Sequence, residues 1–561
     1  KRAMQRGMIS GMSTGKKNKT FSWLPGVLVL ALLGFWHLYD VRSGAVESGD
    51  GWLAGNYLLL LAAVLAVGAL CGWLLLVRTE KQKRKLTDVY PLVGLSLGML
   101  YLLVLPPLSA PDEISHYISA YQLSSHMLGQ PSNSEDGHVL VRARDWFLED
   151  VYGDYISDTT GMYPTKQGTR DGSGEATVLG EPLVEKTYRV IHDTFRNGQR
   201  NRQEEGLVVS PYPPVVTTPA AFFPQALGIS LARLLDLDSL WLVYLGRITN
   251  LLFFVAVTWL AMRRLPFGEE VLFGVALLPM TLHLSASLSY DVWILAGIFY
   301  FTACCLQLLF TAERVRAVDV AVLAAVMALV GPCKMVYAVF MGLCLLIPVR
   351  KFGGWGKWLL SAACVLGAWT LVMIVVNGQT VSMYVAPETE NYISWAEETG
   401  YSLGTFVHQP RKCMQLLFNT LIWQAEQYHL SMIGAWLGNL DPVLDVPYLL
   451  VLMLSGCLVL LALRKPGEQL PLTGAARVWI WILCAGCAGA TMLSMMLAWT
   501  PLGSNVISGV QGRYFLPFLP VLLMSMKNDI LVLTRERNRQ ILYVMCCVNA
   551  YVLLRIYGIV S

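Results

Sequence analysis

The sequence predicts an all-α, polytopic membrane protein of about thirteen spans with an external loop subdomain of mixed α and irregular structure. Three observations carry this expectation. The chain is 55% hydrophobic and only 14% charged, with a mean hydropathy of +0.51, where soluble domains carry about 25% charged residues. Apolar runs of near-spanning length recur along the 561 residues. Finally, Lys and Arg gather in every second connection, the bias that orients spans with their basic flanks in the cytoplasm.

In chain order, Lys1, Arg2, Arg6, Lys16, Lys17 and Lys19 precede an apolar run at 23–38, which is expected to run outward. Ser43-Gly44-Ala45 loosely resembles a cleavage site, but the run is long for a signal peptide, so an uncleaved anchor is expected. A second span at 57–77 returns inward onto the basic "RTEKQKRK", and a third at 89–105 runs outward. Residues 109–216 then form a polar external segment too long for a simple connection, which suits a lid, an acceptor-binding subdomain or a solvated cap. Residues 217–236 are apolar but would reverse the bias of Arg263 and Arg264 if they crossed, so they read as a helix lying along the outer surface.

Further spans fall at 240–262, 270–289, 292–312, 317–332, 335–349, 358–377, 446–463, 477–498, 514–532 and 540–559. The short pair 317–332 and 335–349, broken by "GPCK", reads either as two incomplete crossings or as one re-entrant hairpin. An external segment from 378 to about 443 has Arg411 and Lys412 as its only basic residues. The organisation is therefore a tail and two-span hairpin (1–88), a central module (89–377) that includes the external segment 109–216, a second external segment (378–445) and C-terminal spans (446–561). Most of the twelve cysteines lie in apolar runs, with Cys333 and Cys413 expected near the outer surface, so no disulfide framework is implied. The CxxC of Cys484 and Cys487 sits inside a span and reads as small-residue helix packing. No Walker A, GxGxxG or HExxH pattern is present, and no nucleic-acid partner is expected.

Under this topology the charges near hydrocarbon collect at the outer boundary: Asp112, Glu113 and His116 after span three, Arg247 in span four, His283 and Asp291 at span five, Lys334 in the short pair and Arg513 before 514–532. Each also has an ordinary explanation. Asp112 and Glu113 follow Pro111 and could complement a helix dipole. Glu113 and His116 have the i, i+3 spacing of metal ligands, a weak signal in two residues. His283 suits a packed core histidine. Arg247, Lys334 and Arg513 could snorkel to the interface.

The segments "APDEISHYISAYQL", "PQALGISLARLL", "YLGRITNLL", "LLPMTLHLSASLSYD", "GPCKMVY" and "GVQGRYFLPFLP" occur in the order seen in a family of bacterial multi-spanning proteins long catalogued as a domain of unknown function. The chain resembles that family over about residues 90–530, with "PDE" and "QGRYFLP" the specific motifs. The family is grouped with the GT-C superfamily of membrane glycosyltransferases. The resemblance therefore implies a GT-C-like bundle that transfers a sugar from a polyprenyl phosphate to a glycan, lipid-linked or protein acceptor on the outer face of a bacterial plasma membrane, with inversion. It implies Asp112 as catalytic base, Glu113 as its neighbour or substitute, and Asp291 as a second acidic group in a later loop.

The residues suit that chemistry. A carboxylate can take the proton of an attacking hydroxyl. Cations match a departing phosphate, which makes Arg247, Lys334 and Arg513 candidate donor-binding residues, with His116, Gln511 and Tyr514 beside them. No soluble cofactor is needed to drive transfer. Some GT-C enzymes use a divalent metal, and the residues leave that open. A transporter or flippase of lipid-linked sugars would also place phosphate-binding cations at a membrane boundary, but would be expected to show internal repeats and broken helices near the midplane. A structural scaffold is the remaining alternative.

Overall fold

The computed structural model describes residues 21–48, 51–79, 85–146, 177–178, 181–182, 205–210, 212, 214–215, 217–385, 392–393, 396–438, 440, 444–469 and 472–560. Of the expected external segment 109–216, residues 147–176, 179–180 and 183–204 lie outside the described residues. What is described is predominantly helical, and seven helices are long and apolar enough to cross a membrane.

Helices α1 (Leu24–Ser48) and α2 (Gly51–Gly72, continued as a π turn Trp73–Arg78) pack on each other and on the last helix, α18 (Asn538–Val560). α3 (Tyr90–Val104) leads through a Pro-rich turn to α4 (Glu113–Met127). Beyond α4, β1 (Leu140–Arg142) pairs antiparallel with β4 (Leu207–Val209) in the register Leu140↔Val209, while β2 (Thr177–Val178) pairs with β3 (Glu181–Pro182).

α5 (Phe223–Leu234) confirms the expectation of a short helix at 217–236: Phe223, Leu227, Leu231 and Leu234 share an exposed apolar face, and the opposite face packs on α6 (Ser239–Arg264). The packing is close, since a Cβ on Gly228 would come within 2.3 Å of the Leu245 carbonyl oxygen. α9 (Asp291–Phe310) packs on α6 and on α10 (Ala317–Val330). α10 in turn packs on α11 (Trp355–Val385).

Two of the expected spans are not single helices. Residues 270–289 form α7 (Glu269–Ala276) and α8 (Pro279–Ser285), broken where Leu278 takes an extended conformation (ψ 141°) ahead of Pro279. Every residue from 270 to 289 is buried, so this segment is apolar because protein surrounds it on all sides. Residues 514–532 likewise become a 3-10 turn (Gly512–Phe515) and α17 (Leu519–Met526), interrupted around Pro517 and followed by irregular chain.

The short pair is resolved in an unexpected form. Met335–Leu346 is a twelve-residue 3-10 helix, longer than the usual three or four residues. At about 2.0 Å per residue it extends roughly 24 Å, where an α-helix of the same length would reach about 18 Å. It packs on α16 (Gly474–Trp499), whose Trp479 Nε1 donates to the Gly342 carbonyl oxygen at 2.9 Å.

The remaining elements are β5 (Tyr392–Ile393) paired with β6 (Glu398–Thr399), α12 (Leu403–His408), α13 (Pro410–Trp423), α14 (Ala425–Ile433) and α15 (Tyr448–Leu461). α13 exposes Met414, Phe418, Leu421 and Ile422 along one face, a second amphipathic helix of the α5 kind. All twelve cysteines are free thiols, and Cys333 and Cys413 are both buried.

The far end of the bundle, opposite Asp112, holds a buried ionic cluster. Lys527 Nζ lies 2.6 Å from Glu270 Oε1 and 2.8 Å from Glu468 Oε1, and Lys465 Nζ is 3.0 Å from Glu270 Oε2. Arg264, the Arg314–Arg316 turn and Lys351 lie at this same end, where Lys351 Nζ donates to the carbonyls of Leu308, Leu309 and Ala312 at 2.8 Å each.

Candidate functional site

The turn from α3 into α4 is Pro106-Pro107-Leu108-Ser109-Ala110-Pro111-Asp112. Leu108 (φ 63°) and Asp112 (φ 58°) both occupy the left-handed region, unusual for leucine and tolerated by aspartate. This conformation presents Asp112 at the head of α4. Its side chain remains 65% exposed although protein surrounds it closely, the combination expected of a group lining a cavity.

Three chain-distant cations and carboxylates meet there. Arg513 Nη2 donates to Asp112 Oδ2 at 2.9 Å, and Arg513 Nη1 lies 3.4 Å from Asp291 Oδ2. Lys334 Nζ donates to Asp291 Oδ1 at 2.8 Å. The result is a chain of alternating charge, Asp112–Arg513–Asp291–Lys334, drawn from four separate elements. The Tyr514 ring lies beneath Lys334, 4.1 Å from Nζ, and Tyr290 faces it at 5.5 Å. Among the described residues, Gln511 Oε1 and Arg513 Nε are buried without a hydrogen-bond partner, which leaves polar capacity for water or a ligand.

Burial pushes the Asp112 carboxyl up, but Arg513 and His116 outweigh it and hold the group below the ordinary carboxylate value. Burial holds His116 down at about 4, so its imidazole is neutral at pH 7. His116 packs edge-on against Tyr290 at 4.8 Å and tilted against Phe222 at 5.9 Å. It is a neutral wall of the site, set one helical turn below Asp112.

Two of the expected site residues lie elsewhere. Arg247 is fully buried beside Glu113, with Nε 3.4 Å from Glu113 Oε1, and is not among the cations that reach Asp112 or Asp291. Its expected role as a phosphate partner is corrected on that ground, since its guanidinium is directed to Glu113 and the Leu105 carbonyl and not to the cluster of Asp112, Arg513, Asp291 and Lys334. Glu113 is likewise only 1% exposed, and its two oxygens accept from backbone amides, so it is not a spare base beside Asp112. His283 Nε2 donates to the Gly438 carbonyl at 3.2 Å, and the side chain is a core residue, as its ordinary reading holds. Among the described residues no three His, Cys, Asp or Glu side chains gather as a metal-ligand set; Glu113 and His116 face different surroundings.

The chemistry-bearing loops are held by residues that the sequence did not single out. Tyr337 Oη donates to the Tyr514 carbonyl at 2.8 Å, and the Gly512 amide donates to Ser431 Oγ at 3.0 Å. Gly512 allows α14 to come this close, because a Cβ would sit 2.0 Å from the Tyr428 carbonyl oxygen. Asn250 Nδ2 donates to the carbonyls of Ser287 (2.8 Å) and Ser289 (3.1 Å). The available signal was a polar side chain inside an apolar helix, which both Asn250 and Gln225 display. Beside Lys334 and Tyr514 a cavity of about 200 Å3 runs between the 3-10 helix, α11 and α16, lined also by Tyr337, Asn377, Thr491 and Ser494.

A family model described as "Predicted membrane protein (DUF2142)" matches residues 95–522. The chain belongs to the DUF2142 family. No curated protein and no solved structure matches it. The matched region of this DUF2142 protein runs from within α3 into α17 and so contains Asp112, Asp291, Lys334 and Arg513, while α1, α2 and α18 fall outside it. The ion chain is therefore built wholly from the part that the family model describes.

Proposed function

We propose that this protein is a membrane glycosyltransferase of GT-C type that moves a sugar from a polyprenyl-phosphate donor to a cell-envelope glycan, lipid-linked glycan or protein acceptor, at the outer face of a bacterial plasma membrane. The observation that carries the reading is the meeting of Asp112, still accessible, with Arg513, Asp291 and Lys334 at the end of the bundle away from the basic flanks.

In this reading the donor phosphate engages Arg513 and Lys334, the prenyl tail stays in hydrocarbon, and the acceptor hydroxyl approaches Asp112. Attack on the anomeric carbon forms the new glycosidic bond as the sugar–phosphate bond breaks. The hydroxyl proton passes to Asp112, and the bonding pair leaves on the phosphate oxygen, where the two cations stabilise it. A single displacement of this kind inverts the anomeric centre. A phosphate that draws Arg513 toward itself also removes the strongest influence lowering the Asp112 pKa, so the carboxylate becomes more basic as the donor binds. The cavity beside Lys334 supplies a lateral approach of headgroup dimensions.

The two interrupted segments in the bundle interior favour a second reading, a flippase of lipid-linked sugars, because broken helices near the midplane suit transport. Purified protein in detergent, given polyprenyl-phosphate sugars and envelope-derived acceptors, separates the two. A transferase forms product without any membrane sidedness, and Asp112→Asn abolishes it while the protein remains folded. Normal product from a well-folded Asp112→Asn variant rejects the proposed base. Movement of lipid-linked sugar across vesicles with no product formed selects the flippase. Mass spectrometry of envelope glycans with and without the gene then identifies the acceptor.

A further inference from the structure

We propose that Glu113, held by Arg247, is a positioning residue that clamps the turn carrying Asp112 to the turn carrying Asp291. This rests on the transferase reading for its catalytic consequence, but not for the clamp itself.

The two oxygens of Glu113 serve two different loops. Oε2 accepts from the Ala110 amide at 2.9 Å, inside the 105–112 turn, and Oε1 accepts from the Leu288 amide at 2.8 Å, three residues before Asp291. Arg247 approaches Oε1 through Nε at 3.4 Å and donates from Nη1 to the Leu105 carbonyl at 3.2 Å, so it also grips the start of the first turn. Both side chains are fully buried, where an ionised carboxylate is maintained only by a partner and by donors to its oxygens. Helix-dipole complementation would explain an acid at the first position of α4, but would not require the Leu288 amide.

The geometry also explains why a clamp is needed. Leu108 and Asp112 are held at positive φ, and such backbone persists only where its surroundings over-determine it. The 287–289 turn is fixed from its other side, where Gln225 Nε2 donates to the Leu288 and Ser289 carbonyls at 3.3 Å each and Asn250 donates to those of Ser287 and Ser289. Glu113 is thus the side chain that joins a strained turn to an anchored one. Asp112 and Asp291 then meet Arg513 at fixed spacing, and small errors in such spacing are costly to a reaction.

Hydrogen exchange read by mass spectrometry tests the clamp without any activity. In Glu113→Gln, the amide NH2 faces a backbone N–H that needs an acceptor, and peptides covering 106–112 and 286–291 are both expected to exchange roughly ten- to hundredfold faster. Glu113→Asp, which keeps the charge but is one methylene too short to reach both amides, is the milder variant should Glu113→Gln fail to fold, and is expected to deprotect one of the two peptides. In the transfer assay, kcat is expected to fall on the order of 10²-fold with the donor KM unchanged. Glu113→Gln combined with Arg247→Met removes the stranded buried charge, so thermal stability should recover while kcat stays low. Unchanged exchange at 286–291 in both single variants overturns the proposal, as does recovery of kcat in the double variant, which would mark the pair as merely structural. If wild-type protein transfers no sugar from any donor, the transferase reading fails, and the exchange data still decide the clamp.

Discussion

Arg513 and Asp112 stand 401 positions apart in the chain and meet through a 2.9 Å hydrogen bond from Nη2 to Oδ2. The same guanidinium lies 3.4 Å from Asp291, so one cation serves two carboxylates delivered by different parts of the bundle. Arg513→Lys keeps the charge but not the planar fork that reaches both acids. Transfer by Arg513→Lys is expected to fall on the order of 10²-fold, with a raised donor KM, in the detergent assay. Retention of wild-type kinetics would remove Arg513 from the proposed phosphate site.

Asp291 is ion-paired with both Arg513 and Lys334. Asp291→Asn leaves those two cations short of one counter-charge. The expected result is a lower melting temperature together with tighter donor binding, seen as a reduced KM. A fall in kcat at constant KM would instead show Asp291 acting on the reacting sugar.

His116 makes stability depend on acidity in a defined direction. Burial holds the folded imidazole at about 4, whereas the unfolded chain takes up the proton near the ordinary value of about 6.5. The contribution of the neutral side chain is therefore complete above pH 6.5 and is lost as pH falls from there toward 4, by roughly 3 kcal/mol in total. Thermal melts of wild type and His116→Phe in detergent at pH 7, 6, 5 and 4 should diverge, with the wild type declining more steeply. Parallel curves would show that His116 is not held neutral.

Gly512 is predicted to tolerate no side chain. An added Cβ would meet the Tyr428 carbonyl oxygen at 2.0 Å and the Met432 amide at 2.5 Å, and backbone atoms cannot give way as a flexible side chain can. Gly512→Ala should cost about 1–3 kcal/mol or more and displace the neighbouring Arg513, lowering transfer beyond what lost stability explains. Melting curves alongside assays at a temperature well below the transition separate the two effects.

At the far end, Lys527 is enclosed with Glu270 and Glu468. Lys527→Met strands the Glu270 carboxylate, apart from its 3.0 Å contact with Lys465. A loss of about 3–5 kcal/mol is expected, visible as a lower melting temperature, and the double variant Lys527→Met with Glu270→Gln should regain much of it. Equal instability of the single and double variants would argue that packing, and not charge, is at stake there.

The membrane class and most of the long helices were legible because apolar length is a local signal. The convergence of Asp112, Asp291, Lys334 and Arg513 on one boundary was legible too, since charges near hydrocarbon are costly enough to stand out. Arg247 misled for the same reason: from sequence alone, a cation in a span looks the same whether it meets a ligand or a buried glutamate. The breaks before Pro279 and around Pro517 were marked by proline, yet the surrounding hydrophobicity outweighed them, because a segment enclosed by protein is as apolar as one enclosed by lipid. The long 3-10 helix left no periodic trace, and its contacts with Trp479 and Leu483 of α16 at Gly342 join residues far apart in the chain.

The broken segment α7–α8 and the segment from Gly512 to Met526 run in opposite directions and are fastened at both extremities, by Asp291 with Arg513 and by Glu270 with Lys527. In the proposed reaction a phosphate arriving at Arg513 competes for the first fastening and leaves the second intact, so the two segments stay tied at one extremity while donor is bound.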